Sequence, residues 1–220
     1  MKNEWLPENF PRFNLCFLND KFILINIPKN ASTSVRNALS LHRREPFSNE
    51  TKNSGHKKIV VIRDPVKRVV SSYMELIKLR KDGPHLETSG SEWFKLHQTN
   101  SEKSFKLFID YIEDRLYDSH IHTQCDYINK KGLSIEDMDY ILLFEYLDRD
   151  FNDMCGDLGI NKKLKWDNKS KLNVIKNKIK KLVKEDVGLI DKIKKIYSED
   201  FTLYNKVKKM KSNGNSSNGS

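Results

Sequence analysis

The chain has 220 residues, 37% of them hydrophobic and 32% charged, with a formal net charge of +10. That length supports one good-sized core rather than two, and the composition fits a soluble globular domain with a heavily solvated surface. The cationic excess attracts nucleic acid, acidic membrane and sulfated or phosphorylated ligands alike, and does not choose among them.

Three cysteines, Cys16, Cys125 and Cys155, make neither a disulfide framework nor a CxxC metal pair, so a reducing compartment is expected. The N-terminal stretch "MKNEWLPENFPRF" lacks the apolar region of a secretory signal. No apolar run approaches the ~20 residues of a membrane span. The expected setting is cytoplasmic, with no membrane partner.

In chain order, "NLCFL" (residues 14–18) and "KFILINI" (residues 21–27) read as strands around a turn at Asn19-Asp20. The second is apolar almost throughout, as in a strand covered on both faces. A helix is expected over Ser32 to Leu41, capped by Ser32 or Thr33. Residues 43–56 read as a polar loop. "KKIVVI" (residues 57–62) is a second buried strand, and Pro65 opens a helix whose Val66, Val69, Val70, Tyr73, Met74 and Ile77 recur at helical spacing. Residues 82–99 read as a mobile excursion, residues 104–116 as a helix, residues 140–144 as a third buried strand and residues 148–158 as an amphipathic helix. From Asn161 to Lys211 there are 17 Lys/Arg against 6 Asp/Glu. Leu172, Ile175, Ile179, Leu182 and Val183 still mark an apolar stripe there, so a folded element with a basic face is expected. The tail, residues 212–220, reads as disordered. Alternating strands and helices predict an α/β fold: one domain over residues 1–211, three-layer α/β/α, with a central parallel sheet and C-terminal helices.

"IPKNASTS" (residues 27–34) joins a strand to a helix N-terminus, where free N–H groups collect. Ala31 and Ser32 are small enough for close approach, Thr33 and Ser34 add hydroxyl donors, and Lys29 adds a charge. This is the chemistry of a P-loop-like phosphate cradle. It is not the Walker A loop, which needs glycines and a lysine next to the helix. "VIRDPVKRVVSSY" (residues 61–73) places Arg63 at a strand end, the sheet edge where α/β proteins bind ligands, with Ser71 in the following helix. A guanidinium fork and a hydroxyl suit a second phosphate. Arg68 can reach it too, or pair with Asp64, which is the favoured reading.

Together the two blocks resemble the PAPS-dependent sulfotransferases, nearest to the carbohydrate, heparan 2-O-sulfotransferase-like type (sulfotransferase family 2). The likeness extends to "HIHTQCDYI", "LLFEYLDRDFNDMCGDLGI" and "IYSEDFTLYNK" and covers about residues 21–206. Ser32 stands where many relatives have glycine. The resemblance implies in-line sulfuryl transfer from PAPS to a hydroxyl acceptor, expected to be a glycan, without a metal. It implies that Lys29, Asn30, Ala31, Ser32, Thr33 and Ser34 hold the 5′ phosphosulfate, with Lys29 also catalytic. It implies that Arg63 and Ser71 hold the 3′-phosphate.

The base that takes the acceptor proton stays open among His56, Glu75, His42, His120 and His122, with His56 and Glu75 ranked first. Glu145 is expected to orient a loop or substrate. "KWDNKSK" (residues 165–171) either closes over the nucleotide or is an ordinary basic loop. Trp93 and Phe94 either stack on a sugar or are buried. Two other readings remain. One is a P-loop-like small-molecule kinase; the other, less favoured, is a nucleic-acid-binding protein, for which no aromatic-interleaved basic motif is present.

Overall fold

The computed structural model describes residues 15–81, 92–113, 120–165 and 173–215. Its strands are β1 (Leu15–Leu18), β2 (Phe22–Ile25), β3 (Arg43–Pro46), β4 (Lys57–Ile62) and β5 (Tyr140–Leu143). The helices are α1 (Ser32–Ala38), α2 (Asn49–Asn53), α3 (Pro65–Lys81), α4 (Glu92–Leu96), α5 (Ser101–Glu113) and α6 (Gln124–Asn129). They continue with α7 (Leu147–Asp157), α8 (Asn173–Glu185), α9 (Val187–Ile196) and α10 (Ser198–Asn215).

The five strands lie in the order β3-β1-β2-β4-β5. β2, β4 and β5 are parallel, while β1 runs antiparallel to both β2 and β3. The sheet is therefore parallel on its central and β5 side, with an antiparallel edge at β1 and β3.

Period-2 alternation divides the apolar strands between two cores. Ile23, Ile25, Val60 and Ile62 face Tyr127 and Ile128 of α6 and Leu203 and Val207 of α10. Phe22, Leu24, Ile59 and Val61 face Val35 of α1 and Phe151 and Met154 of α7. These are the three layers. A third, all-helical cluster joins α3, α4, α5, α8 and α9 around Tyr73, Trp93, Phe105, Phe108 and Ile179.

Several local expectations change. Residues 43–56 hold β3 and α2 rather than a loop. β3 reads Arg-Arg-Glu-Pro and is mostly exposed, so no apolar pattern marks it; its pairing with β1 makes it a strand. Residues 92–96, expected in a mobile excursion, form α4, and Trp93 is buried against Phe108 at 5.0 Å between ring centroids. Residues 212–215, expected to be disordered, continue α10, where the Ser212 hydroxyl donates to the Lys208 carbonyl at 2.7 Å. The segment 166–172, which holds most of "KWDNKSK" and Leu172, lies outside the described residues.

Candidate active site

Parallel registers bring three strand ends to one edge: Ile25 lies opposite Val60, and Ile62 opposite Leu143. The chain leaves this edge into Lys29 after β2, into Arg63 after β4, and into Phe144 and Glu145 after β5. The site is assembled from these exits and the first turns of α3.

The turn after β2 is strained. Lys29 and Ala31 have φ of 68° and 59°, a left-handed conformation that costs a non-glycine residue about 1–2 kcal/mol. The surroundings hold it in place. The Asn30 N–H donates to the Ile27 carbonyl at 3.3 Å, and the Ser32 hydroxyl donates to that same oxygen at 2.9 Å. The fully buried Asn30 side chain donates to the Val61 carbonyl at 2.7 Å and to Gln124 Oε1 at 2.6 Å.

A left-handed residue followed by a helical one turns successive N–H groups toward one point, an anion-binding nest. The first bond of α1 runs from Val35 N–H to Ala31 C=O, so the N–H groups of Ser32, Thr33 and Ser34 precede the helical ladder. Ala31 is the N-cap residue, with no side-chain cap. This corrects the expectation that Ser32 or Thr33 caps the helix. The Asn30 N–H and side-chain NH₂ likewise donate inside the protein. The strained positions are Lys29 and Ala31, so the serine at position 32 meets no conformational obstacle. With seven residues, α1 adds a modest dipole, and the full charges nearby contribute more.

Those charges are Lys29 and Arg63. The Lys29 ammonium meets the Glu75 carboxylate of α3 at 3.1 Å, both partly exposed. Arg63 Nη1 donates to the Lys29 carbonyl at 2.5 Å, and the guanidinium lies 3.9 Å above the centroid of the Phe144 ring. Its Nε is buried and without a partner among the described residues. Burial pushes Arg63 down to about 10 while Glu145 pulls it up, so it remains cationic at neutral pH. A buried guanidinium with a spare donor has capacity for an anion.

Ser71 stands one helical turn before Glu75 on the same face of α3, and that face meets Lys29 through Glu75. Glu145 accepts from the Asp64 N–H at 3.4 Å, the Lys67 ammonium at 3.4 Å and the Tyr204 hydroxyl at 3.3 Å. These bonds hold the loops after β4 and β5 together.

The site's internal brace is Gln124, at the start of α6. Its Oε1 accepts from the Arg63 N–H at 2.9 Å, and its Nε2 donates to the Arg63 carbonyl at 2.9 Å. Asp200 supports it, accepting from the main-chain N–H of Gln124 at 2.9 Å and of Cys125 at 3.0 Å. Arg68 pairs with Asp200 at 3.9 Å, both buried, and its Nε donates to the Pro28 carbonyl at 3.3 Å. The favoured pairing of Arg68 with Asp64 is thus corrected; Asp64 instead caps α3 by accepting from the Lys67 N–H at 3.0 Å.

Two base candidates are carried to the opposite edge. His56 precedes β4 and Arg63 follows it, so roughly 20 Å of strand separates them at about 3.3 Å per residue. His56 bonds to the Ser54 hydroxyl at 2.6 Å and lines a groove of about 360 Å³ with Lys21, Phe22 and Ile160. His42 precedes β3, whose Arg43 lies opposite Leu18, and Leu18 lies opposite Ile23 at the start of β2. The His120 carbonyl accepts from Ser72 at 2.5 Å. His122 is buried, with Nδ1 3.2 Å from Asp126. Glu75 is the candidate brought against Lys29.

Gln124 and Asp200 brace the candidate site across long sequence separations, which no local pattern signals, although both lie in segments that carry the family likeness. Among the described residues no group of three or more His, Cys, Asp or Glu is placed to hold a metal. None of the described helices is long and apolar enough to cross a membrane.

A sheet parallel at its centre, a nest at one strand end and a cation at the next give this α/β protein an arrangement chemically suited to an anionic ligand at the carboxyl edge. A profile of the sulfotransferase family matches residues 14–207. The chain belongs to the sulfotransferase family, whose reaction is sulfuryl transfer. No curated protein and no solved structure matches it.

Proposed function

We propose that this protein is a PAPS-dependent O-sulfotransferase that sulfates a carbohydrate hydroxyl. The observation that carries the reading is the contact between Arg63 Nη1 and the Lys29 carbonyl. It sets two cationic strand ends side by side, as an adenosine bearing anions at both its 3′ and 5′ positions requires. The unpartnered Arg63 Nε supports a further ligand there.

In this reading the N–H groups of Ser32, Thr33 and Ser34, with the Thr33 hydroxyl, hold the 5′ group, and Arg63 and Ser71 hold the 3′-phosphate. Asn30, Ala31 and Gln124 keep the turn in shape. The acceptor oxygen attacks sulfur in line as the bond from sulfur to the bridging phosphate oxygen breaks. Glu75 takes the acceptor proton, and Lys29 neutralises the charge that the leaving oxygen acquires. Positioning and charge stabilisation supply the catalysis. The Lys29–Glu75 pair links these roles, because moving the ammonium to the leaving oxygen frees the carboxylate to act as base. The free thiols of Cys16, Cys125 and Cys155 support a reducing, cytoplasmic setting.

Thermal melting and turnover test this together. Adenosine 3′,5′-bisphosphate raises the melting temperature, ATP with magnesium does not, and label passes from sulfur-labelled PAPS to an oligosaccharide hydroxyl. Stabilisation by ATP with magnesium alone, with phosphate transfer, would establish the kinase instead.

A further inference from the structure

Arg63 is a cation buried to 8% exposure, and a buried charge is ordinarily held by a counter-ion. The ion pairs around the site are Lys29–Glu75, Lys67–Glu145 and Arg68–Asp200. Among the described residues none includes Arg63. The carboxylate next along the chain from the β5 exit, Glu145, is turned to the Asp64 N–H, the Lys67 ammonium and the Tyr204 hydroxyl. The Arg63 guanidinium has instead the Lys29 carbonyl on one N–H and the Phe144 ring 3.9 Å from its carbon.

Sheet register brings that ring and that cation together. Ile62 and Leu143 lie opposite each other in β4 and β5, and both face the core that α6 and α10 cover. By period-2 alternation the next residues, Arg63 and Phe144, turn to the other face. There Phe144 packs against the cluster that holds Leu142, Leu147 and Phe151. The ring is thus backed by the core on one side and meets the guanidinium on the other.

We infer that Phe144 is a positioning residue, an uncharged stand-in for a counter-ion that holds the Arg63 guanidinium at the strand end and leaves it free to bind a phosphate. An aromatic face attracts a cation through its quadrupole, carries no net charge and occupies none of the in-plane N–H donors. A carboxylate in the same place would neutralise Arg63 and take the donors that a phosphate needs. The unpartnered, buried Nε of Arg63 is one of the donors so preserved. The inference rests on the sulfotransferase reading, in which the ligand of Arg63 is the 3′-phosphate, and makes Phe144 a determinant of selectivity between adenosine nucleotides with and without that group.

The test is calorimetric titration of wild type, Phe144→Leu and Phe144→Tyr with adenosine 3′,5′-bisphosphate and with adenosine 5′-phosphate. Loss of the aromatic face in Phe144→Leu lowers affinity for the bisphosphate roughly five- to tenfold, while affinity for the 5′-phosphate stays within twofold. Phe144→Tyr, which keeps the face, binds both within twofold of wild type. In an Arg63→Ala background Phe144→Leu produces no further loss, because the ring then has no cation to hold. If Phe144→Leu does not fold, Phe144→Met, similar in volume and equally without a π face, is read in the same way. An equal loss for the two nucleotides, no loss for the bisphosphate, a loss in Phe144→Tyr matching that in Phe144→Leu, or the full loss persisting without Arg63 would overturn the role of Phe144. Wild-type protein that does not bind the bisphosphate would instead overturn the sulfotransferase reading, and the inference with it.

Discussion

Gln124 clasps the main chain of Arg63 from both sides, accepting from its N–H and donating to its carbonyl, each at 2.9 Å. The same carboxamide oxygen accepts from Asn30 at 2.6 Å. One buried side chain thus fixes the ends of β2 and β4 relative to each other. Gln124→Leu leaves the buried N–H and C=O of Arg63 without this partner. At about 1–3 kcal/mol per unsatisfied group, a loss of roughly 2–4 kcal/mol is expected in urea denaturation. Nucleotide affinity, measured by calorimetry, falls with it, because the strand ends no longer hold their spacing.

Arg63 and Lys29 separate by kinetics. Arg63→Ala removes the charge-assisted hydrogen bonds proposed to hold the 3′-phosphate, worth roughly 2 kcal/mol, so about a thirtyfold loss in nucleotide affinity is expected. Lys29→Ala removes a charge that the proposed mechanism needs most in the transition state, so kcat is expected to fall about 10²–10³-fold, with a much smaller change in nucleotide affinity. Near-wild-type kinetics in both variants would contradict the assignment.

Arg68 and Asp200 form a buried ion pair at 3.9 Å. Burial pushes the Asp200 carboxyl up, while Arg68 and the amides of Gln124 and Cys125 pull it back. Arg68→Met leaves the carboxylate without its counter-charge, and a loss of about 3–5 kcal/mol is expected. Arg68→Met/Asp200→Asn loses less than the sum of the two single variants, as a double-mutant cycle in denaturant measures.

Lys131 gives a pH signature. It is buried, and that burial pushes it from 10.5 down to about 8. The unfolded chain therefore binds more protons than the fold between about 8 and 10.5, and by linkage this group's penalty is full below pH 8 and fades as pH rises. Cys16, pushed by burial from 9.0 up to about 11, acts in the opposite direction between those values. Lys131→Met is expected to be more stable than wild type at pH 7, by on the order of 2 kcal/mol. The difference narrows above pH 8 in denaturation curves taken across that range.

The apolar strands β2, β4 and β5 were legible because burial on both faces writes itself as unbroken Ile, Leu and Val. The strand ends bearing Lys29 and Arg63 were legible with them. β3 was not: its residues carry no apolar alternation, and only pairing with β1 makes it a strand. Arg68 was misread because the local partner, Asp64, was visible in the sequence, while Asp200 lies far along the chain. Gln124 reaches Arg63 across 61 residues and Asn30 across 94, distances that no spacing rule covers. For His56, strand direction is decisive: in a parallel sheet a residue before a strand and one after it lie on opposite edges, so proximity in sequence to Arg63 did not bring it to the site.

A structure of the protein with adenosine 3′,5′-bisphosphate tests the central claim most directly. The account predicts the 5′-phosphate over the turn at Lys29 to Ser34, the 3′-phosphate on Arg63 and Ser71, and Glu75 at the open end where an acceptor hydroxyl enters. A nucleotide bound elsewhere, or a site left empty at saturating nucleotide, would contradict it.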